Sequence, residues 1–285
     1  MDRNFGDWNY VGQRDAEIVI DNWKARDSFP HFILISGDAG SGRLSLSYII
    51  AKELDARISV LPDVAADTIR NLVDIAYQLD DKIVYVIPNS DSMSVAAKNS
   101  LLKLTEEPPG NAYIIMILQS LENTLPTLVS RSQHILMEPY SYEDLRLLCN
   151  DNIDAIKISE TPGMLKRVLS MGKEDQDRLI TMCSNLVYYV DKITIGNALK
   201  SAINIKFKES DKGWDIDIFL AGVRYVLEII TNKDSISKEE LLRISIWYSG
   251  LSYYLYKFKR SGVNRKAVYD QLLFYVRGRL QEEAL

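Results

Sequence analysis

Short apolar runs alternate with stretches of helical spacing through the first half of the chain, a pattern that predicts βαβ units and a parallel sheet. Residues 31–36 (HFILIS) read as a strand running into a glycine-rich turn, and 45–54 then follow helical spacing through Leu46, Ile49, Ile50 and Leu54. Ile83–Ile87 (IVYVI) and Ala112–Leu118 (AYIIMIL) read as two further strands. Runs this continuously apolar suit strands covered on both faces. A helix is expected over 94–107, stopped by Pro108, Pro109 and Gly110.

The strand signals end near Glu138 and Pro139. Ser141-Tyr142-Glu143-Asp144 has the form of a capping box opening a new helix, and the rest of the chain is helical in pattern. The clearest case is 238–259, with Leu241, Ile244, Trp247, Tyr248, Leu251, Leu255 and Phe258 along one stripe. The expected layout is an α/β domain over 1–138, a small helical domain over 139–177 and a larger helical domain over 178–285. No internal repeat or low-complexity tract interrupts it.

Composition refines this picture without changing it. The chain of 285 residues is 47% hydrophobic and 26% charged, as in an ordinary soluble protein. No apolar N-terminal run follows a basic start, so no signal peptide is expected. The uncharged stretch 244–256 is 13 residues long, short of the roughly 20 a membrane span needs, so no membrane association and a cytoplasmic location are expected. Two cysteines (Cys149, Cys183) and two histidines (His31, His134) show no zinc-ligand spacing; reduced, buried thiols and no zinc or other metal site are expected. The net charge of −5 divides unevenly: 17 basic and 27 acidic residues over 1–177 give −10, and 17 and 12 over 178–285 give +5. A chain gripping nucleic acid alone is usually basic, so any DNA contact is expected to be shared with partners. The opposite signs of the two parts suit subunit association. Aromatics of the helical part (Trp247, Tyr253, Tyr254, Tyr256, Phe258, Phe274, Tyr275) are expected in a core or subunit interface rather than in base stacking.

Candidate chemistry sits between the first strand and the helix that follows. Gly37-Asp38-Ala39-Gly40-Ser41-Gly42-Arg43-Leu44 stands where a Walker A loop (G-x-x-x-x-G-K-[ST]) belongs. Such a loop cradles phosphate with backbone N–H groups, reaches it with lysine and holds Mg²⁺ through a hydroxyl. The glycines remain at 37 and 42, with a further one at 40. The lysine is replaced by Arg43, a planar fork rather than a compact ammonium, and the hydroxyl residue by Leu44. The strand Ile83–Ile87 runs into Pro88-Asn89, where a Walker B strand carries acidic residues; Asp91 falls two residues beyond. The residues therefore predict a glycine turn without hydrolytic capacity, with residual ATP or ADP binding by Gly37, Gly40, Gly42 and Arg43 as the alternative. No cofactor is expected to be required.

The segment Ala96-Ala97-Lys98-Asn99-Ser100-Leu101-Leu102-Lys103-Leu104-Thr105-Glu106-Glu107-Pro108-Pro109 resembles the A-A-x-N-A-L-L-K-x-x-E-E-P-P helix of bacterial clamp-loader subunits. Val11-Gly12-Gln13 resembles their V-G-Q box and Pro30-His31 their P-H pair. Leu125-Pro126-Thr127-Leu128-Val129-Ser130-Arg131-Ser132-Gln133 is similar to L-P-T-I-x-S-R-C-Q, and Thr161-Pro162-Gly163 resembles the start of the lid helix. The resemblance covers residues 9–167; beyond that only helical character and length agree. Within the DNA polymerase III clamp-loader family the delta-prime type fits best. That resemblance implies an AAA+ base, a helical lid and a C-terminal collar in a hetero-pentamer with gamma/tau and delta types of subunit, acting on a sliding clamp and primed DNA. It further implies that Arg131, with Ser130 beside it, serves in trans on a neighbour's ATP. A planar, permanently charged guanidinium stabilises charge developing on a transferred phosphoryl group, and supplied in trans it makes hydrolysis depend on assembly.

The departures are specific. Ser132 replaces the motif cysteine, the four-cysteine zinc module of many relatives is missing from the short stretch 56–81, Met164 stands at the lid's sensor arginine, and Leu118 at a polar sensor position. These favour a subunit without ATPase activity of its own. The alternatives are a divergent gamma/tau-type ATPase and an AAA+-derived adaptor in recombination or helicase loading.

Overall fold

The computed structural model describes residues 11–149, 152–192, 194, 196, 216–258 and 264–283, without the side chains of Leu255, Tyr256 and Phe258. The expected positions of those three side chains lie outside the described residues. The chain divides into two compact units, 1–148 and 149–285. Residues 139–148 thus fall with the α/β part, and 149–177 with the later helices.

The first unit is built on five parallel strands: β1 (Phe32–Ser36), β2 (Arg57–Val60), β3 (Ile83–Ile87), β4 (Ala112–Leu118) and β5 (Gln133–Leu136). Their order is β2-β3-β4-β1-β5. The three strands expected from continuous apolar runs are the central ones, and every residue in them is buried, as both-face coverage requires. The sequence pattern missed β2 and β5. Both are edge strands of four residues with mostly exposed side chains, so neither carries a long apolar run.

Alternation along the strands feeds two cores. Leu34, Tyr85, Ile87, Ile114 and Met116 pack on one face with Ile69 and Leu72 of α3 (Ala66–Ala76), and with Ala97, Leu101 and Leu104. Ile33, Ile35, Val84, Val86, Ile115 and Ile135 pack on the other. There they meet Ala16 and Ile20 of α1 (Arg14–Ala25) and Leu46 and Ile50 of α2 (Arg43–Glu53). The single helix expected over 94–107 is instead two short ones, α4 (Val95–Ser100) and α5 (Leu102–Glu106), separated at Leu101. Ser94 caps α4 by accepting from the Ala97 N–H at 3.1 Å. A four-residue helix α6 (Pro126–Val129) leads into β5, and α7 (Tyr142–Leu147) follows it. The capping box at Ser141 is complete, with Asp144 as its acidic member.

The second unit is helical among its described residues: α8 (Ile153–Lys157), α9 (Pro162–Ser170), α10 (Lys173–Tyr189), α11 (Ile216–Thr231), α12 (Lys238–Phe258) and α13 (Arg265–Glu282). Thr161 caps α9. On α12 the buried face carries Arg243, Ile244, Trp247 and Leu251, while Leu241 (60% exposed) and Tyr248 (40%) face outward. The expected stripe is therefore rotated toward Arg243. A purely apolar count could not find it, because the buried cation pairs with Asp191 at 2.7 Å and donates to the Val187 carbonyl. Trp247 is buried as expected, whereas Tyr253 and Phe274 are exposed.

Candidate functional site

β1 lies between β4 and β5, and the chain leaves its C-terminal end through the glycine loop, the position in open α/β sheets where ligands approach. The loop has the backbone its glycines permit: Gly37, Gly40 and Gly42 have φ of 151°, 83° and 92°. At Gly37 a Cβ would lie 2.6 Å from Met137 Cβ, so the loop passes directly against the segment following β5.

Arg43 begins α2. Its Nη1 donates to the Leu118 carbonyl at the end of β4. The guanidinium therefore links the loop to its own sheet. Leu44, at the hydroxyl position, is exposed. The loop is also fastened from the other side: the Tyr140 hydroxyl donates to the Ser41 carbonyl at 2.8 Å. Burial raises the Tyr140 hydroxyl to a pKa of about 12, so it remains a donor. Gln13, from the V-G-Q segment, is buried and bonds both the N–H and the carbonyl of Glu138, each at 2.9 Å. Ser36 Oγ and His134 Nε2 lie 2.7 Å apart across β1 and β5, and burial lowers the His134 pKa.

The position beyond β3 is organised for structure. Asn89 takes a left-handed φ of 52° ahead of a 3₁₀ turn over Ser90–Ser92. The Asp91 carboxylate accepts from the Gln119 N–H at 2.7 Å, the Ser120 N–H at 3.4 Å and the Asn123 amide at 2.8 Å. It anchors the loop after β4. Lys98 donates to the Asn123 carbonyl, and burial lowers its pKa. Thus the acidic group nearest the Walker B position is held by backbone donors, Leu44 offers no oxygen, and Arg43 is turned onto the sheet. The residues present do not fit a Mg²⁺–nucleotide group arranged for hydrolysis.

Ser130 and Arg131 lie between α6 and β5. Arg131 Nη2 meets Glu106 Oε1 at 2.7 Å, and Nη1 donates to the Thr127 carbonyl at 3.0 Å. The Ser130 hydroxyl donates to the same carbonyl at 3.1 Å. Strand register fixes where this turn stands. Gln133 pairs with Ile33 near the start of β1, and Leu136 pairs with Ser36 at its end. Arg131 therefore precedes the sheet's N-terminal edge, while Gly37 follows its C-terminal edge. The structure brings Gly37, Gly40, Gly42 and Arg43 into one loop and Ser130 and Arg131 into one turn, and it keeps loop and turn at opposite ends of the β1–β5 pair. Sequence reading missed Tyr140 as a fastener of the loop, and Gln13 as the clasp on Glu138 in the segment after β5. It also missed Glu106 as the partner of Arg131, although Glu106 stands in the segment with the strongest motif.

The family described as DNA polymerase III, delta subunit, matches residues 63–141, a span holding β3, α4, α5 and the Arg131 turn. The similarity is thus to clamp-loader subunits of DNA polymerase III. Among clamp-loader relatives the chain is 24% identical to DNA polymerase III subunit tau of Bacillus subtilis over 66% of this chain and 40% of tau. It is 28% identical to subunit gamma of Buchnera aphidicola (subspecies Schizaphis graminum) over 47% of this chain and 46% of gamma. Identity to subunit delta' of B. subtilis is 36%, over 20% of this chain and 18% of that protein. The chain thus spans less than half the length of each of these relatives. A solved Thermotoga maritima RuvB variant shares the fold, with a TM-score of 0.50 at 14% identity over 74% of this chain and 88% of that one. Among the described residues no group of three or more His, Cys, Asp or Glu side chains could hold a metal ion, and no helix is long and apolar enough to cross a membrane.

Proposed function

We propose that this chain is a non-hydrolysing clamp-loader subunit of the delta-prime type, which offers Arg131 to ATP held by a neighbouring subunit. It would assemble with gamma/tau and delta types of subunit and take part in loading a sliding clamp onto primed DNA, with residues 139–177 serving as lid and 178–285 as collar. The observation that carries this reading is the separation of the two arginines. Arg43 is bonded to the Leu118 carbonyl in its own sheet, whereas Arg131 lies at the far edge of that sheet, away from its own loop. A guanidinium there is suited to a phosphate on another chain. It would act by stabilising charge on the transferred phosphoryl oxygens and would move no proton itself.

The test is reconstitution of the complex with Arg131→Ala. The reading expects loss of the DNA-stimulated ATPase at the adjoining site, and an unchanged rate would refute the role.

A second reading, a divergent gamma/tau-type ATPase, is favoured by the extent of similarity: the match to B. subtilis tau covers 66% of the chain, that to delta' 20%. Leu44, Pro88 and Asn89 weigh against it. Mg²⁺-dependent ATP turnover by the isolated chain would support that reading over the first.

A further inference from the structure

We infer that Glu106 is a positioning residue for Arg131, holding the guanidinium in the orientation in which it meets a neighbour's phosphate; this rests on the trans-acting role proposed for Arg131. The two residues are 25 positions apart and come together because α5 packs against α6. Glu106 ends α5, and Glu107 follows it just before Pro108. Two carboxylates at a helix C-terminus stand at the negative end of its dipole, where negative charge is disfavoured. The local rule is thus broken at a position where Glu106 pairs with Arg131. A local violation of this kind commonly marks a functional position.

Stability does not account for the pair. Its side chains are 36% and 51% exposed, and an ion pair so open to water contributes little to folding. What it does supply is direction. With Glu106 on Nη2 and the Thr127 carbonyl on Nη1, the guanidinium plane is fixed at two points. An arginine has five N–H donors in a rigid fork. Nε–H and one N–H on each terminal nitrogen therefore remain for phosphate oxygens while both anchors stay in place. Preorganised donors are worth more in a transition state than donors that must be ordered as it forms. Glu107 is engaged differently: its carbonyl accepts from the Tyr77 hydroxyl at 2.9 Å, which secures the end of α5 below the pair.

The experiment compares assembled clamp-loader complexes carrying Glu106→Ala, Glu106→Gln, Arg131→Ala, or Glu106→Ala with Arg131→Ala, assayed for ATP hydrolysis with clamp and primed DNA. Assembly is checked by size-exclusion chromatography. The expected result is that Glu106→Ala lowers kcat on the order of tenfold at unchanged KM for ATP. Glu106→Gln, whose amide oxygen still accepts from Nη2, recovers much of that loss. In the Arg131→Ala background, Glu106→Ala has no further effect. Arg131→Ala reducing activity while Glu106→Ala does not, or while Glu106→Ala raises it, overturns the positioning role and leaves the trans-acting arginine standing. An equal loss from Glu106→Ala with and without Arg131 would make Glu106 merely structural. No loss from Arg131→Ala would overturn the parent reading itself.

Discussion

Arg43 sits at the first position of α2 and donates to the Leu118 carbonyl, and the opposite side of the same loop is fastened by Tyr140 on the Ser41 carbonyl. A charged donor on a half-buried carbonyl is worth about 1.5–3 kcal/mol, so Arg43→Ala should lower stability by about that amount, read from denaturant unfolding. Restoring the loop's consensus should not restore chemistry. Arg43→Lys combined with Leu44→Thr is expected to show no Mg²⁺-dependent turnover, because Asn89 carries no carboxylate and Asp91 is engaged by the Gln119 and Ser120 N–H groups. ATP hydrolysis by that double variant would contradict the account of the site. Gly12 makes a related point at φ 80°, where a Cβ would meet Asp144 Cγ at 2.8 Å. Gly12→Ala is expected to cost about 1–3 kcal/mol, measured as a lowered unfolding midpoint. These positions were readable from sequence as departures from a motif. Their bonding partners were not, since Arg43 and Leu118 lie 75 residues apart along the chain, and Glu106 and Arg131 lie 25 apart.

At the scale of elements, the central strands were legible because both faces are covered and the code is simply continuous hydrophobicity. The edge strands β2 and β5 were not, because an edge strand with one protected side chain looks like a polar connection. The helix over 94–107 was legible in extent but not in its break at Leu101, where no glycine or proline stands. On α12 the buried ion pair was invisible to a hydrophobic stripe. Arg243 is held by Asp191, the Val187 carbonyl and Glu239, and removing one partner of a buried pair strands the other charge. Arg243→Ala is therefore expected to destabilise the helical unit by on the order of 3 kcal/mol, seen as a loss of its helical signal at lower denaturant.

Acid should act on the same unit. Burial opposes the Asp191 charge, but hydrogen bonding and charge from Arg243 outweigh it and lower the pKa. Glu240 is held down to about 2 by hydrogen bonds from Lys233 and from the Ser237 backbone and side chain. Both pKa values fall on folding, so their contribution is full above the ordinary carboxylate range and is lost as pH drops. For Glu240 that window runs from its ordinary 4.5 down to about 2. Glu240→Gln should flatten the stability-versus-pH curve across this window, measured by thermal unfolding; an unchanged curve would remove Glu240 from the explanation.

At the scale of the whole molecule, one sheet carries two arginines with opposite destinations. The first closes a loop that has lost its lysine, hydroxyl and acidic companions; the second stands at the other edge, braced by Glu106. The same motif segments that carry the similarity to clamp-loader subunits also contain the residues of that brace. The most direct test is the DNA-stimulated ATPase of the assembled complex carrying either Arg131→Ala or Arg43→Gln in this chain. The account predicts that Arg131→Ala abolishes turnover at the adjoining site while Arg43→Gln leaves it intact. The reverse pattern, activity lost with Arg43 and kept without Arg131, would contradict it.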